Sequence, residues 1–305
     1  MQPRVLRPAP DPLGTYLRPG RRDHKALTQL LVEGMSVGTG LIADPVLVDL
    51  HGDLLGEAAR QGVETVLDPR SVDLSTPGGF ARSGVTDLPW AGAGLHTVAG
   101  LTGAAGGLLA RQLATVVEER GLSAALAPTH YLPHAGHPWL AVDVALTRAL
   151  RRELDSRGLT RVPIYYPLVG RASMLRDPDQ RAQVIAALTG LPIDALWIRL
   201  HPFGTGTSGP LALRRYLEIC RELHALNVPL VAEHSGTVGV ALLAFGAVGG
   251  IESGVTFSDK VNLDALLKAP RPDAKPFAPP PRLYLHEIGA FLDTATAPDF
   301  FNARN

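Results

Sequence analysis

Ionisable side chains stand at the ends of several short apolar runs in this chain, where they could act together in one site. Such runs are typical of buried strands, and buried strands seldom carry charged or imidazole groups. The polar residues at these ends are Asp49, His51, Asp68, Arg70, His130, Tyr165, Tyr166, Arg199, His201, Glu233, His234, Glu252, Ser253, His286 and Glu287. Histidines and carboxylates predominate, so the set indicates proton transfer or metal binding.

Proton transfer needs a histidine or a buried carboxylate whose pKa is tuned by a partner. The sequence offers adjacent pairs of this kind at Glu233-His234 and at His286-Glu287, and His201 ends another apolar run. We therefore predict that these five residues carry out acid–base catalysis.

A divalent metal is the one cofactor that the residues suggest. Metal-assisted catalysis needs three or four converging imidazole or carboxylate ligands. The histidines at or near strand ends are His51, His130, His201, His234 and His286. The first predicted strand has no His-x-His pair and the fourth has no lysine, which argues against a bridged two-metal site. The sequence leaves open whether a single metal is bound.

Arginines and glycine-rich turns predict that the substrate is anionic. Arg70 and Arg199 could bind a carboxylate or phosphate with two hydrogen bonds each, with Asp49 and Asp68 beside them. Backbone N–H groups of a glycine-rich turn before a helix can also bind an anion. The glycines concerned are Gly204, Gly206 and Gly209, which precede a helix, and Gly249 and Gly250, at predicted strand seven. The alternative is that the glycines only form turns and the arginines only make structural salt bridges.

The elements that position these residues alternate between strand and helix. Strands are predicted at residues 45–51, 64–70, 124–130, 162–168, 195–201, from residue 228, at 247–251 and at 282–287. Eight such repeats predict a (β/α)8 barrel of the TIM type, in which the carboxyl ends of all strands meet at one face. The alternative is an open doubly wound parallel sheet, which the glycine spacing of residues 204–209 would suit.

The predicted domain organisation is an arm followed by one barrel. Residues 1–44 are a basic, proline-rich arm with a short helix, and residues 45–305 are the barrel domain. The barrel domain includes a long loop at residues 71–100 and a proline-rich loop at residues 269–281. No full helix follows the last predicted strand, so a second copy or a partner subunit is expected to cover that side.

Composition limits the partners and the compartment. The 305 residues have a formal net charge of zero, which gives no global attraction to nucleic acid or to an anionic membrane. The single cysteine excludes an internal disulfide and a cysteine-based zinc site. No signal-peptide pattern opens the chain and no apolar run approaches 18 residues, so a cytoplasmic protein without membrane partners is expected.

Taken together, these patterns predict an enzyme that acts on a small polar, anionic substrate such as a sugar, a nucleoside or a phosphorylated metabolite. The reaction would be hydrolysis or group transfer by acid–base chemistry, with or without a metal. The alternative is a noncatalytic or nucleic-acid-modifying barrel whose basic arm and proline-rich loop bind a protein or nucleic-acid partner. Barrel architecture alone does not decide between them.

Overall fold

A computed structural model describes residues 14–204, 208–255, 260–270, 282–285, 290–295 and 297–303. The chain consists of two compact units, residues 1–269 and residues 270–305. The first unit is a closed barrel of parallel strands, so the predicted (β/α)8 fold is confirmed and the open doubly wound sheet is wrong. Within the described residues, none of the helices has the length and apolar character needed to cross a bilayer.

The barrel strands pair in the order β1-β2-β3-β4-β5-β6-β8-β9, and β9 returns to pair in parallel with β1. Their bounds are β1 Gly14–Arg18, β2 Gly40–Ala43, β3 Glu64–Leu67, β4 Ala124–Leu126, β5 Ile164–Arg171, β6 Ala195–His201, β8 Leu230–Ala232 and β9 Gly250–Gly254. Two short strands outside the barrel, β7 Phe203–Gly204 and β10 Lys260–Val261, pair antiparallel.

Helices follow the strands on the outside of the barrel. They are α1 His24–Val32, α2 Gly52–Arg60, α3 Ser71–Leu74, α4 Pro77–Phe80, α5 Ala104–Glu119, α6 Trp139–Ser156, α7 Ala172–Arg176, α8 Pro178–Leu188, α9 Pro210–Leu223, α10 Gly236–Ala244 and α11 Asp264–Leu267, with short 3₁₀ helices at Ala99–Leu101 and His224–Leu226. Asp177 caps the N-terminus of α8, because its carboxylate accepts hydrogen bonds from Asp179 N and Gln180 N at 2.9 and 3.2 Å.

Residues of one parity on each strand point into the barrel. The interior apolar cluster contains Ile42, Val66, Leu126, Tyr165, Trp197 and Val231, each on a different strand. Trp197 is fully buried there. Because side chains alternate along a strand, the residue two positions further on also points inward, one layer closer to the carboxyl ends. Several of those next residues are charged, and they define the site described below.

The first barrel strand is β1, which lies in the segment predicted to be an arm. The prediction that residues 45–51 form a strand is wrong: β2 ends at Ala43, and Val46 N donates to Asp44 Oδ1 at 3.0 Å. Leu47 N donates to Asp44 O and His51 N donates to Leu47 O, both at 2.9 Å. The sequence Asp-Pro therefore starts a helical turn leading into α2, as proline after a capping residue often does.

The strand predicted at residues 282–287 is also outside the barrel. Arg282–Leu285 forms β11, which pairs antiparallel with β12 Ala290–Asp293 in the second unit. That unit also contains α12 Ala297–Asn302. The predicted loop 71–100 contains α3, α4 and the first 3₁₀ helix, and most of the proline-rich loop 269–281 lies outside the described residues.

Candidate active site

A layer of charged side chains covers the apolar interior at the carboxyl ends of the strands. Six barrel strands each contribute one residue to this layer, either from the strand itself or from the position directly after it. Each of these residues comes two positions after an apolar or small residue that points into the barrel. The members of the layer are Arg18, Asp44, Asp68, Arg199, Glu233 and Glu252. All but Arg18 rank among the buried residues, with 9% exposure or less. A buried layer of mixed sign is stable only when its charges pair, and the contacts below show that they do.

Arg18 is the centre of this layer. Its Nε donates to Glu252 Oε1 at 2.8 Å and its Nη2 donates to Glu233 Oε1 at 3.2 Å. Its Nη1 contacts Asp68 Oδ2. One guanidinium from β1 thus joins carboxylates that come from three other strands. Burial alone would lower the pKa of Arg18. The negative charges of Glu252 and Asp68 raise that pKa by more, so the guanidinium remains charged.

Two carboxylates of the layer, Asp68 and Glu252, are held in their ionised form. Burial alone raises the pKa of Asp68, but Arg18, Arg199 and Arg70 outweigh burial and hold that pKa well below its usual range. Burial likewise raises the pKa of Glu252, and the opposing charges of His234 and Arg18 lower it by more. Burial lowers the pKa of Arg199 to about 10, so this residue also keeps its charge at neutral pH.

His234 stands directly above the carboxylates. Its backbone N donates to Glu252 Oε2 at 2.9 Å. Its ring Nδ1 lies 3.4 Å from the same oxygen, and its Nε2 lies 3.9 Å from Glu233 Oε1. The backbone of His234 is left-handed, with φ of 51°, in the short connection between β8 and α10. This conformation turns the imidazole over the barrel mouth.

Arg70 has a similar backbone and lies across the mouth. Its φ is 56°, and it shares this left-handed conformation with only Asn227 and His234 among the non-glycine residues that the structure describes. Arg70 N donates to Asp68 Oδ1 at 2.9 Å, and Arg70 Nη1 donates to Asp44 Oδ2 at 2.8 Å. Such conformations are costly for side chains with a Cβ and are concentrated at functional sites.

A cavity of about 150 Å³ lies above this layer. Its lining residues are Arg18, Asp68, Arg70, Asp73, Arg82, Arg199, His234, Lys260, Val261, Asn262, Leu263 and Leu266. The volume is below the range of about 300–1,000 Å³ usual for drug-sized ligands, so the cavity suits one small polar molecule.

The segment 260–267, here called the cover, closes the cavity from above. Val261, Leu263 and Leu266 pack in one apolar cluster with Val72 and Val169. The cover also approaches α4 closely, because a Cβ added to Gly78 would lie 1.9 Å from Ala265 O. The cover is thus attached to the barrel by apolar packing and by a close backbone contact.

His201 fastens the cover to β6. Its Nδ1 accepts a hydrogen bond from Leu263 N at 3.0 Å, and its Nε2 lies 3.6 Å from Asp264 Oδ1. Its predicted catalytic role therefore competes with a structural one, because Nδ1 already accepts a backbone hydrogen bond.

Three ligand atoms in the site have the spacing of a metal centre. One atom each from Glu233, His234 and Glu252 lie within 4.8 Å of one another. However, Arg18 and Arg199 both contact Glu233 Oε1, and Arg18 also binds Glu252. A divalent cation there would face two guanidinium groups at short range, and that repulsion is strong in a buried site.

The structure brings six of the residues identified at the strand ends to this mouth: Asp68, Arg70, Arg199, Glu233, His234 and Glu252. Two residues of the site were missed by the sequence prediction, Arg18 and Asp44. Arg18 follows the inward Tyr16 on β1, but the five-residue strand lies in a proline- and arginine-rich stretch that gives no strand pattern. Asp44 directly follows the buried strand Gly40–Ala43, and this was the signal that could have identified it.

Asp49 does not belong to the site, and that prediction is wrong. Its side chain is 81% exposed and pairs with Arg120 at 2.7 Å. The prediction placed Asp49 at the end of a strand, but the residue lies in a helical turn. Gly249 and Gly250 are also misplaced: Gly250 begins β9 and pairs with Gly14, the first residue of β1, so both glycines lie at the amino end of the barrel.

Two further predicted metal ligands, His51 and His130, have other surroundings. His51 is buried beside His24, with ring centroids 5.2 Å apart, and burial followed by the charge of His24 lowers its pKa. His130 pairs with Asp143. Neither belongs to the cluster of potential ligands around His234 in the described part of the chain, so convergence of the five histidines is not supported.

The remaining predicted site residues are three glycines before α9 and the two residues predicted to end the last strand. Gly204 lies on β7, where its backbone N donates a hydrogen bond to Ser208 Oγ at 3.0 Å. Gly209 is exposed and directly precedes α9. Gly206, His286 and Glu287 lie outside the described residues.

Comparison with known proteins supports the architecture. No protein-family model matches the chain, and no curated protein matches it. Among solved structures, a GH18 chitinase from Pseudoalteromonas aurantia is similar with a TM-score of 0.50 and 13% identity, over 83% of this chain and 97% of that chain. An endo-1,4-beta-xylanase from Penicillium canescens is similar with a TM-score of 0.50 and 12% identity, over 78% and 82% of the two chains. At such identities the likeness shows the TIM-barrel fold alone.

Proposed function

We propose that the protein is an enzyme that binds a small polar, anionic substrate at the carboxyl end of the barrel and transfers protons through His234. The reaction class is hydrolysis or group transfer, and the substrate class is a sugar, a nucleoside or a phosphorylated metabolite. The observation that carries the proposal is the position of His234, which lines the cavity while its Nδ1 lies 3.4 Å from the buried, ionised Glu252.

Glu252 supports proton transfer by orienting the imidazole. A carboxylate beside a ring nitrogen orients the imidazole, fixes its tautomer and stabilises the imidazolium that forms. Because the pKa of Glu252 is lowered, it stays ionised and does not compete for the proton. His234 is therefore the group assigned to take a proton from water or a substrate hydroxyl and to return one to the leaving group.

Glu233 positions His234 and Arg199, and the arginines bind the substrate. Glu233 Oε1 contacts Arg199 and lies 3.9 Å from His234 Nε2, while the carboxylate itself does not line the cavity. Arg70 and Arg199 line the same cavity and carry positive charge for a carboxylate or phosphate group. Lys260, on the cover, adds a further cation at the cavity wall.

Acid–base chemistry is favoured over metal-assisted chemistry by the two guanidinium groups on the carboxylates. A charged imidazole can be accommodated beside Arg18 and Arg199. Glu233 lies close to both Arg199 and His234, and Glu252 lies close to both Arg18 and His234. The alternative function, a noncatalytic module that binds a protein or nucleic acid, makes no use of His234.

The test is a substrate screen with a matched pair of variants. Wild type, His234→Asn and His134→Asn are assayed against sugar phosphates, nucleosides, nucleotides and chromogenic glycosides and phosphate esters. Asparagine tolerates the left-handed backbone at position 234, and His134 is an exposed loop histidine that serves as the control. We expect His234→Asn to lower kcat by roughly 10²–10⁴-fold, the usual contribution of a general acid or base. Equal turnover by the two variants, or no turnover by wild type across the screen, would contradict the proposal.

A further inference from the structure

A second pair of buried histidines lies outside the barrel mouth, on the connection between β3 and α5 and at the end of β4. His130 is fully buried and His96 is 8% exposed. Their ring centroids are 5.9 Å apart and the rings are inclined by 60°. His130 also stacks on Trp139, with centroids 3.8 Å apart. This pair takes no part in the proposed acid–base function.

One nitrogen of each ring lies within hydrogen-bond distance of an oxygen. His130 Nδ1 lies 2.6 Å from Asp143 Oδ1, while Asp143 Oδ2 accepts a hydrogen bond from His130 N at 2.9 Å. His96 Nε2 lies 2.9 Å from Trp90 O, a carbonyl that can only accept. An N–H on the contacting nitrogen is therefore directed to an acceptor, and in a neutral imidazole the opposite nitrogen then carries a lone pair.

Those opposite nitrogens are buried without a partner. His130 Nε2 and His96 Nδ1 have no hydrogen-bond partner among the described residues. Two buried lone pairs without donors are unfavourable unless an occupant binds them.

We propose that His96 Nδ1 and His130 Nε2 bind a divalent transition metal ion of the zinc class. Histidines that bind metals almost always donate their other N–H to a carboxylate or a backbone carbonyl, which is the arrangement of Asp143 and Trp90 here. Imidazole is a preferred ligand of zinc and its neighbours. The two remaining positions of a tetrahedral zinc are taken by water or another small ligand.

The ring separation agrees with a shared ion. With a zinc–nitrogen distance of about 2.0–2.1 Å, each ring centroid lies about 3.2 Å from the metal. Two such rings then have centroids about 5.2 Å apart at a tetrahedral angle and about 6.4 Å apart when they are opposite. The observed 5.9 Å lies between these limits.

The surroundings of His96 supply rigidity and access. His96 N donates to Leu74 O at 2.9 Å, and Trp90 Nε1 donates to Pro69 O at 2.8 Å, so both ends of the segment are fastened to the barrel. A cavity of about 300 Å³, lined by His96, Trp90, Leu101, Leu109 and Gln112 among others, opens beside the ring and provides an entry path.

The experiment is a zinc titration of metal-free protein by calorimetry, with four proteins compared. They are the wild type, His96→Gln, His134→Gln as an exposed control, and His234→Asn at the barrel mouth. Glutamine can still donate to Trp90 O, but it lacks the Nδ1 lone pair. We expect wild type to bind one equivalent of zinc, and His96→Gln to lose it or bind it roughly tenfold or more weakly. The other two variants should bind as wild type does.

Two outcomes would overturn the proposal. The wild type could bind no zinc, or the His96→Gln variant could bind one equivalent of zinc as tightly as the wild type does. If His96→Gln does not fold, zinc-edge anomalous diffraction from wild-type crystals soaked in zinc decides the question. A peak between His96 and His130 supports the site, and a peak only at Glu233, His234 and Glu252 contradicts it. The titration is independent of catalysis, because failure of the proposed function leaves the zinc result unchanged.

Discussion

Replacement of Arg18 by methionine tests the charged layer directly. Methionine retains much of the apolar stem of arginine but removes the guanidinium that joins three carboxylates. Asp68, Glu233 and Glu252 then lose their shared partner in a buried environment. Each keeps one other favourable contact, with Arg70 N, Arg199 and His234 N respectively.

The magnitude follows from those remaining contacts. Because no carboxylate is left entirely unpaired, the loss corresponds to one broken buried ion pair and not to three. That loss is about 3–5 kcal/mol of the free energy of unfolding. At roughly 2–4 °C per kcal/mol for a large domain, Tm should fall by about 6–20 °C.

Thermal unfolding at several pH values is the assay. In wild type, the lowered pKa values of Asp68 and Glu252 contribute stability above the unfolded pKa of about 4, and this stability is lost as pH falls towards the folded values. Without Arg18 those folded pKa values rise. The gap in Tm between the two proteins should therefore be large at pH 7 and should narrow as pH falls below about 4, towards the folded pKa values of the wild type.

The control is Arg120→Met, which removes a comparable ion pair at the surface. Arg120 is 47% exposed and its partner Asp49 is 81% exposed, so little change in Tm is expected. A further variant, Glu252→Gln in the Arg18→Met background, should recover part of the lost stability by removing an uncompensated charge. Equal Tm values for Arg18→Met and Arg120→Met, or a gap that does not change with pH, would refute the reasoning.

Three other outcomes are expected. Glu252→Gln should move the acid limb of the pH–rate profile to lower pH, because the imidazole of His234 loses its carboxylate; an unmoved limb would separate Glu252 from proton transfer. Asp49→Asn should leave kcat/KM unchanged, and a loss of activity would return this residue to the site. Gly78→Ala should lower the free energy of unfolding by about 1–3 kcal/mol, since its Cβ would meet Ala265 O, and an unchanged Tm in denaturation scans would mean that the cover is not seated on α4.

The central strands of the barrel could be predicted because their signals are local. Residues 195–201 form an apolar run that ends in polar residues, and alternation along it correctly places Trp197 and Arg199 on the same inward face. Glu233 and His234 follow another apolar run at β8. At these strands the pattern alone located the site residues.

The first and last strands could not be assigned from local patterns. β1 has five residues, and its backbone hydrogen bonds come from β2 and β9, which are distant in sequence. The run at residues 45–50 looks more like a strand than β2 does, but Asp44 and Pro45 start a helical turn there. One misplaced strand moved the predicted site from Asp44 to Asp49 and left Arg18 unassigned.

The pair of His130 and Asp143 was also beyond local reasoning. Thirteen residues separate the two, and their contact depends on how α6 packs against the end of β4. His130 was predicted as a ligand at the mouth because it ends an apolar run. The packing of Asp143 and Trp139 instead holds its ring in a separate buried cluster.

The most direct test of the account is the location of a bound ligand. A compound that raises Tm in the screen of sugar phosphates, nucleosides and nucleotides should be soaked into crystals of the protein. We expect its density in the 150 Å³ cavity beneath the cover, with an anionic group on Arg70 or Arg199 and a reactive oxygen within hydrogen-bond reach of His234. Density elsewhere, such as beside Trp90 and His96, with the barrel mouth unchanged, would contradict the assignment of the active site.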